Sequence, residues 1–291
     1  MAVTAKLEVG RCMDKATHLR KDLEHYYNHS ERYIAEMQSH DDAYFGSHLE
    51  WVATNLLRLV GPEGRLLELG CGGGSSTKAF ADRLPGYHCT GFDISRPAIA
   101  LAASRFQAPN LAYQSGDCLE LPWPDASLDA VISRDMIEHI PDVGRALAEM
   151  DRVLKPGGIV VIRSPHHRSP LFALLDVLRF RANYPFTTSW TGSFPRLVEL
   201  SVDFVRKLFA REPQFRYRTP DLSDTVVVGL DADAVYEVSS LDLTTFFRNR
   251  GYTVHNVGST YGNGAASRLV PRLLPYFASI GLIVQKPAAA G

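Results

Sequence analysis

From residue 65 to residue 164 the chain keeps one rhythm: a run of about five apolar residues, a breaker, then a longer amphipathic run. Arg65–Leu69, His88–Phe92, Leu111–Gln114, Leu128–Ser133 and Gly158–Arg163 read as strands. Ser75–Leu84, Pro97–Phe106 and Val143–Leu154 read as helices between them. Strands this evenly apolar are buried on both faces, and strands alternating with helices run parallel. The rhythm predicts an α/β fold with helices on both faces of a mostly parallel sheet. Tyr252–Val257 and Phe277–Gln285 add two strands, bringing the expected sheet to seven.

The flanks differ. Residues 1–60 read as a helical extension, with Tyr26, Tyr33, Ile34 and Met37 at helical spacing and a second periodic run over Leu49–Leu59, closed by Gly61-Pro62-Glu63-Gly64. Residues 61–164 form the expected core, residues 165–235 a cap inserted after the fifth strand, and residues 236–291 the return to the core. The helix expected over Ser240–Arg250 stops at Gly251. A net charge of −1 gives no global case for nucleic acid or membrane lipid. Cys12, Cys71, Cys89 and Cys118 contain no Cys-x-x-Cys pair, which argues against a zinc ribbon or disulfide framework. The charged first twenty residues hold no signal-peptide core, and Leu273–Val284 is too short to span a bilayer. The expectation is a cytoplasmic protein without a membrane span.

The most informative segment joins the first strand to the first helix of the core: Glu68-Leu69-Gly70-Cys71-Gly72-Gly73-Gly74-Ser75. Glycines there let the backbone turn tightly and approach a ligand, above the free N–H groups of a helix start. Asp93 ends the second strand, where a carboxylate can accept both hydroxyls of a ribose. Asp117 follows the third strand and can accept from an adenine amine. A dinucleotide fingerprint requires a third glycine where Ser75 stands, and Glu68 would repel a pyrophosphate. That disfavours an NAD-dependent oxidoreductase. An acid before the turn suits a cationic ligand group instead.

At these residues the chain resembles the class I S-adenosylmethionine-dependent methyltransferases, in particular their type 11 small-molecule group. The resemblance covers about residues 65–164 and rests on four ordered motifs. They are Glu68 to Gly74, Gly91-Phe92-Asp93-Ile94-Ser95, Gly116-Asp117-Cys118 through Leu121-Pro122-Trp123, and Leu154-Lys155-Pro156-Gly157-Gly158. It implies a Rossmann-like fold whose last strands form a reversed hairpin, and S-adenosyl-L-methionine as cofactor. It implies that Glu68 and Gly70 meet the methionine part, Asp93 the ribose and Asp117 the adenine, with Ile94 and Cys118 packing near the base. Cys71, Gly72, Gly74 and Arg134 complete the expected cofactor set.

Arg134-Asp135-Met136-Ile137-Glu138-His139 follows the fourth strand. A helix starting there would put Asp135, Glu138 and His139 on one face, looking into the pocket. His139 could then take a proton from an attacking hydroxyl or amine. The cluster also resembles the Glu-x-x-Glu-His metal site of some quinone-pathway O-methyltransferases, with Asp135 in place of the first Glu. A helix cap and a satisfied structural histidine are the plainer alternatives. These three are the expected catalytic residues, with a divalent metal possible and not favoured.

Between Arg163 and Arg218 nine arginines and Lys207 face Asp176, Glu199, Asp203 and Glu212, an excess of six positive charges. Phe172, Phe180, Tyr184, Phe186, Trp190, Phe194, Phe204, Phe209, Phe215 and Tyr217 are interleaved. The stretch reads as a lid with an apolar wall and arginines for an anionic group, or as a plain cap with solvated arginines. His166-His167 lie just after the fifth strand, and at most one of the two faces the cavity. Tyr26, Tyr27 and Tyr33 are expected over the cofactor or in ordinary packing. Together these features predict a methyltransferase for a small organic acceptor, O-methylation first. C-methylation of a prenyl diphosphate or aromatic ring is the alternative reaction, and a non-catalytic nucleotide-binding subunit the alternative class. No nucleic-acid partner is expected.

Overall fold

A computed structural model describes residues 18–39, 46–178, 190–223, 233–258, 274–277 and 279–289. Cys12, Arg179, Arg181, Phe180, Tyr184 and Phe186 lie outside them. Seven strands form one sheet: β1 Gly64–Leu69, β2 Tyr87–Asp93, β3 Leu111–Ser115, β4 Leu128–Arg134, β5 Leu154–Ser164, β6 Thr253–Gly258 and β7 Ile280–Gln285. Their order is β3-β2-β1-β4-β5-β7-β6. The first five strands are mutually parallel, and β7 lies antiparallel between β5 and β6. The reversed hairpin and the Rossmann-like plan are both present.

Each face of the sheet carries its own core. Leu67, Leu69, Val131, Val160 and Ile162 face helix α6 (Val143–Val153) and helix α9 (Ser240–Arg248). Leu66, Ala130, Ile132, Ile159 and Val161 face α3 (Gly46–Leu59) and α4 (Ser75–Arg83). Adjacent residues of one strand thus serve opposite cores, which is why these strands are continuously apolar. Helix α6 buries Val143, Ala146, Leu147, Met150 and Val153 at helical spacing, and the Asp142 side chain caps its start by accepting the Arg145 N–H at 3.0 Å. Ser95 likewise caps α5 (Arg96–Arg105).

Before the sheet lie α1 (residues 18–29) and α2 (Glu31–Ser39), separated at Ser30, whose hydroxyl accepts the Tyr33 N–H at 3.1 Å and caps α2. Helices α7 (Pro170–Val177) and α8 (Trp190–Leu208) follow β5, ahead of α9. Helix α8 carries Pro195 inside its first turns. Among the described residues no helix is long and apolar enough to cross a membrane.

Candidate active site

Strand register brings the expected site residues to one edge. Leu69 pairs with Phe92 and with Ser133, Asp93 with Ser115, and Arg134 with Arg163. Backbone bonds continue that level past the strand ends: Gly70 N–H to the Phe92 carbonyl at 2.8 Å, Gly116 to Asp93 at 2.9 Å, and Asp135 to Arg163 at 2.9 Å. This is the carboxyl edge, where open parallel sheets present ligand sites.

The glycine-rich turn takes left-handed backbone at Gly70 (φ 71°), Gly72 (φ 49°) and Gly74 (φ 83°). A Cβ on Gly70 would stand 2.6 Å from Met136 Cγ, and one on Gly74 2.5 Å from Ala102 Cβ. Glycine is therefore required at both positions sterically and conformationally. Glu68 is buried, accepting the Ser76 hydroxyl at 2.7 Å and the Thr77 hydroxyl at 2.6 Å, with Arg134 Nη2 4.0 Å away. It ties the end of β1 to the first turn of α4. Ser76 and Thr77 were not singled out in the sequence; two hydroxyls at a helix start were their only signal. Asp93 is also buried, its two oxygens accepting the Gly72 N–H at 2.8 Å and the Ser95 N–H at 2.9 Å. Burial raises its pKa above the ordinary carboxylate value, against the pull of those backbone donors. Burial likewise pushes up the thiols of Cys71, within the turn, and Cys118, so both stay protonated.

Helix α1 lies against this edge. Arg20 Nε donates to Asp117 Oδ2, while Asp117 Oδ1 accepts the Leu119 N–H at 2.8 Å. Asn28 donates to the Ile94 carbonyl at 3.3 Å and accepts the Arg96 N–H at 2.9 Å. The Ser95 hydroxyl donates to the Tyr27 carbonyl at 2.7 Å, and Ile94 packs with Leu23, Tyr27 and Val235. Arg20 and Asn28 are partners the sequence did not reveal, because nothing local links them to residues some seventy to a hundred positions later.

The expected common face of Asp135, Glu138 and His139 is not formed. Asp135 takes φ 48°, which a helix cannot continue, and only Ile137–His139 closes a single 3-10 turn. The three side chains diverge. Asp135 pairs with Arg163, the buried Glu138 accepts the Ser164 hydroxyl at 3.0 Å, and His139 Nδ1 lies 3.3 Å from Asp233 Oδ2. Among the described residues no group of three His, Cys, Asp or Glu side chains is placed to hold a metal ion. Asp233 also accepts the Tyr27 hydroxyl at 2.8 Å. Burial first, and the Asp233 carboxylate second, push the Tyr27 phenol well above its ordinary value, so it stays a donor. His48, on α3, is another residue missed in the sequence. Its burial, followed by the nearby charges of Arg134 and Arg163, lowers its pKa to about 2.

Four cations of the basic stretch, Arg168, Arg196, Lys207 and Arg216, are paired with acids. Arg168 is 2% exposed and pairs with Asp203, Glu199 and Glu237; Lys207, equally buried, pairs with Asp242. Arg196 meets Glu199 and Glu237, and Arg216 meets Asp203. His166 is buried and accepts the Ser240 N–H at 3.4 Å, which commits it to the start of α9. The charge count was right, but these cations are held by acids of the same region and of residues 237 and 242.

Residues 67–162 match the family model described as a methyltransferase domain. These residues carry a methyltransferase domain similar to those of class I S-adenosylmethionine-dependent methyltransferases. A demethylmenaquinone methyltransferase of Thermus thermophilus is 33% identical over 147 residues, 49% of this chain and 66% of that protein. A trans-aconitate 2-methyltransferase of Deinococcus radiodurans is 35% identical over 104 residues, 36% of this chain and 39% of that protein. The chain thus spans less than two thirds of the length of these relatives. Among solved structures, a SAM-dependent methyltransferase of Aquifex aeolicus superposes with a TM-score of 0.50 at 12% identity, over 87% of this chain and 97% of that one. That likeness concerns the fold of this family and extends beyond the matched domain.

Proposed function

We propose that this protein transfers a methyl group from S-adenosylmethionine to a small organic acceptor, at oxygen, with His139 as the proton acceptor. The observation that carries the reading is the convergence of the glycine turn, Asp93 and Asp117 on the carboxyl edge of three adjoining parallel strands. The residues present fit this cofactor. Asp93 and Asp117 offer carboxylates for donors on a ribose and an adenine, the turn from Gly70 to Gly74 keeps backbone bare, and the turn itself brings no cation for a pyrophosphate. Bound there, the cofactor supplies an electrophilic methyl on a sulfonium. Glu68 holds the turn through Ser76 and Thr77, and Gly70 and Gly72 would face the methionine end. Ile94 and Cys118 would pack near the base, and Arg134 lies beside Glu68.

Methyl transfer is a direct displacement, so the protein's work is alignment and removal of one proton. His139 sits beyond the end of β4, past Arg134, and is 19% exposed in its side chain, which lets it meet an acceptor hydroxyl. No metal step is needed for this. The demethylmenaquinone methyltransferases among the relatives favour a second reading, a quinol-type ring methylated at carbon. The internal pairing of Arg168, Arg196 and Arg216 speaks against those three as the anchor of an anionic acceptor.

Isothermal titration with S-adenosylhomocysteine and with NAD tests cofactor choice. Affinity for NAD with no response to S-adenosylhomocysteine overturns the reading. Transfer of labelled methyl to a phenol, a carboxylate and a 1,4-naphthoquinol then separates oxygen from carbon as acceptor. His139→Gln is expected to lower transfer to the phenol by at least tenfold with S-adenosylhomocysteine affinity unchanged.

A further inference from the structure

We propose that Asp233 and Tyr27 are positioning residues for His139, forming a relay in which the Asp233 carboxylate holds the imidazole with Nδ1–H turned inward and Nε2 facing the acceptor. The proposal rests on the methyltransferase reading and extends it with two residues from outside residues 67–162.

Three segments far apart in sequence meet here. Asp233 Oδ2 stands 3.3 Å from His139 Nδ1, within electrostatic reach but outside hydrogen-bond geometry, and the same oxygen accepts the Tyr27 hydroxyl at 2.8 Å. The Tyr27 and His139 rings meet edge to face, with centroids 6.4 Å apart and planes at 85°. The backbone holds the segments together independently of these side chains. The Glu138 carbonyl accepts the N–H groups of Val235 and Tyr236 at 2.7 and 2.8 Å, and Val235 packs on Tyr27 and Leu23. Helix α1 is in turn tied to the Asp93 loop, through the Ser95 hydroxyl and the Tyr27 carbonyl. The relay therefore spans from the cofactor edge to the proton acceptor.

The chemistry follows from one N–H shared between two ring nitrogens. A carboxylate against Nδ1 selects the tautomer protonated there and leaves the lone pair on Nε2. In the transfer, the acceptor O–H bond breaks and its proton passes to Nε2. The acceptor oxygen bonds to the methyl carbon, and the electron pair of the old carbon–sulfur bond leaves on sulfur. The positive charge that appears on His139 then faces the Asp233 carboxylate, which lowers its cost, and the proton is later lost to water. Tyr27 anchors that carboxylate, so Asp233 cannot swing towards solvent. Neither residue touches the reacting atoms.

The test reads the ring itself. Histidine-selective nitrogen-15 NMR at alkaline pH, without cofactor, reports the neutral tautomer of His139, assigned by its loss in His139→Gln. The wild-type ring is expected as Nδ1–H, with the bias abolished in Asp233→Leu, partly kept in Asp233→Asn and weakened in Tyr27→Phe. Transfer of methyl to the phenol probe should fall at least tenfold in Asp233→Asn, with S-adenosylhomocysteine affinity within twofold of wild type. If Asp233→Leu does not fold, Asp233→Asn carries both measurements. An Nε2–H ring in the wild type, or a tautomer indifferent to Asp233, overturns the relay. The two failures separate: an Nδ1–H ring in a protein that ignores S-adenosylhomocysteine sinks the methyltransferase reading and leaves the relay standing.

Discussion

Asp93→Asn should separate cofactor binding from folding. The native carboxylate is 5% exposed and accepts one backbone N–H on each oxygen, from Gly72 and from Ser95. Asparagine keeps the shape and one acceptor but turns an NH2 towards the other donor, a loss of about 1–3 kcal/mol. Against this, the raised pKa of Asp93 shows that burying its charge costs more than those donors return. A neutral side chain escapes that cost. The two effects oppose each other, so the unliganded protein should lose less stability than the lost acceptor alone would cost. Cofactor affinity has no such compensation. With the ribose hydroxyls placed on Asp93, as proposed, loss of the ionised acceptor should cost about 1.5–3 kcal/mol, or roughly tenfold to a hundredfold. Titration with S-adenosylhomocysteine and thermal melting of the unliganded protein measure the two quantities separately. Affinity within threefold of wild type would refute a binding role, and a parallel collapse of affinity and melting temperature would make Asp93 a structural residue only. The raised pKa also sets the pH dependence. As pH falls through it, affinity declines because the carboxylate protonates. Over the same interval this group's contribution to unliganded stability rises, because the folded state takes a proton before the unfolded chain does.

Gly70→Ala combines a left-handed backbone with a Cβ 2.6 Å from Met136 Cγ and 2.7 Å from Met136 Cβ, and is expected to cost about 2–5 kcal/mol in denaturant unfolding. Asp242→Ala strands the buried Lys207 ammonium, and Asp203 at 3.7 Å only partly replaces the lost partner. The loss should fall near the lower end of about 3–5 kcal/mol, read from the urea midpoint. His48 resists protonation down to about 2, so below its unfolded value of about 6.5 the unfolded chain binds a proton that the folded state refuses, and stability falls towards acid. His48→Leu should flatten that acid limb in melting curves taken across the range; an unchanged limb removes His48 as its source.

Much of this arrangement could be read along the chain because its signals are local. A strand buried on both faces is apolar throughout, as Leu66 and Leu67 show by serving opposite cores. Helix starts carry their own caps at Ser95 and Asp142, and the turn after β1 needs glycine where φ is positive. These features act within a few residues, so their pattern survives in one dimension. The cluster after β4 was misread for the opposite reason. Helical spacing predicts a shared face only if the backbone is helical, and Asp135 leaves that conformation at φ 48°. The arginines between Arg163 and Arg218 were counted correctly, but a count holds no distances. Arg168 finds Asp203, Glu199 and Glu237 only once α8 and the segment before α9 are brought together.

The order of strands and helices, the bare turn beside Glu68, and the acids that end β2 and follow β3 are legible in the residues alone. Each follows from the period of the backbone or from the steric freedom of glycine, and neither needs a distant partner. Tertiary structure alone decided which polar groups are committed to one another: Glu68 to Ser76 and Thr77, Arg20 to Asp117, and His139 to the Asp233 that also holds Tyr27. A charge removed from water must find its partner wherever the fold supplies one, and that choice is made across space between segments with no common local pattern.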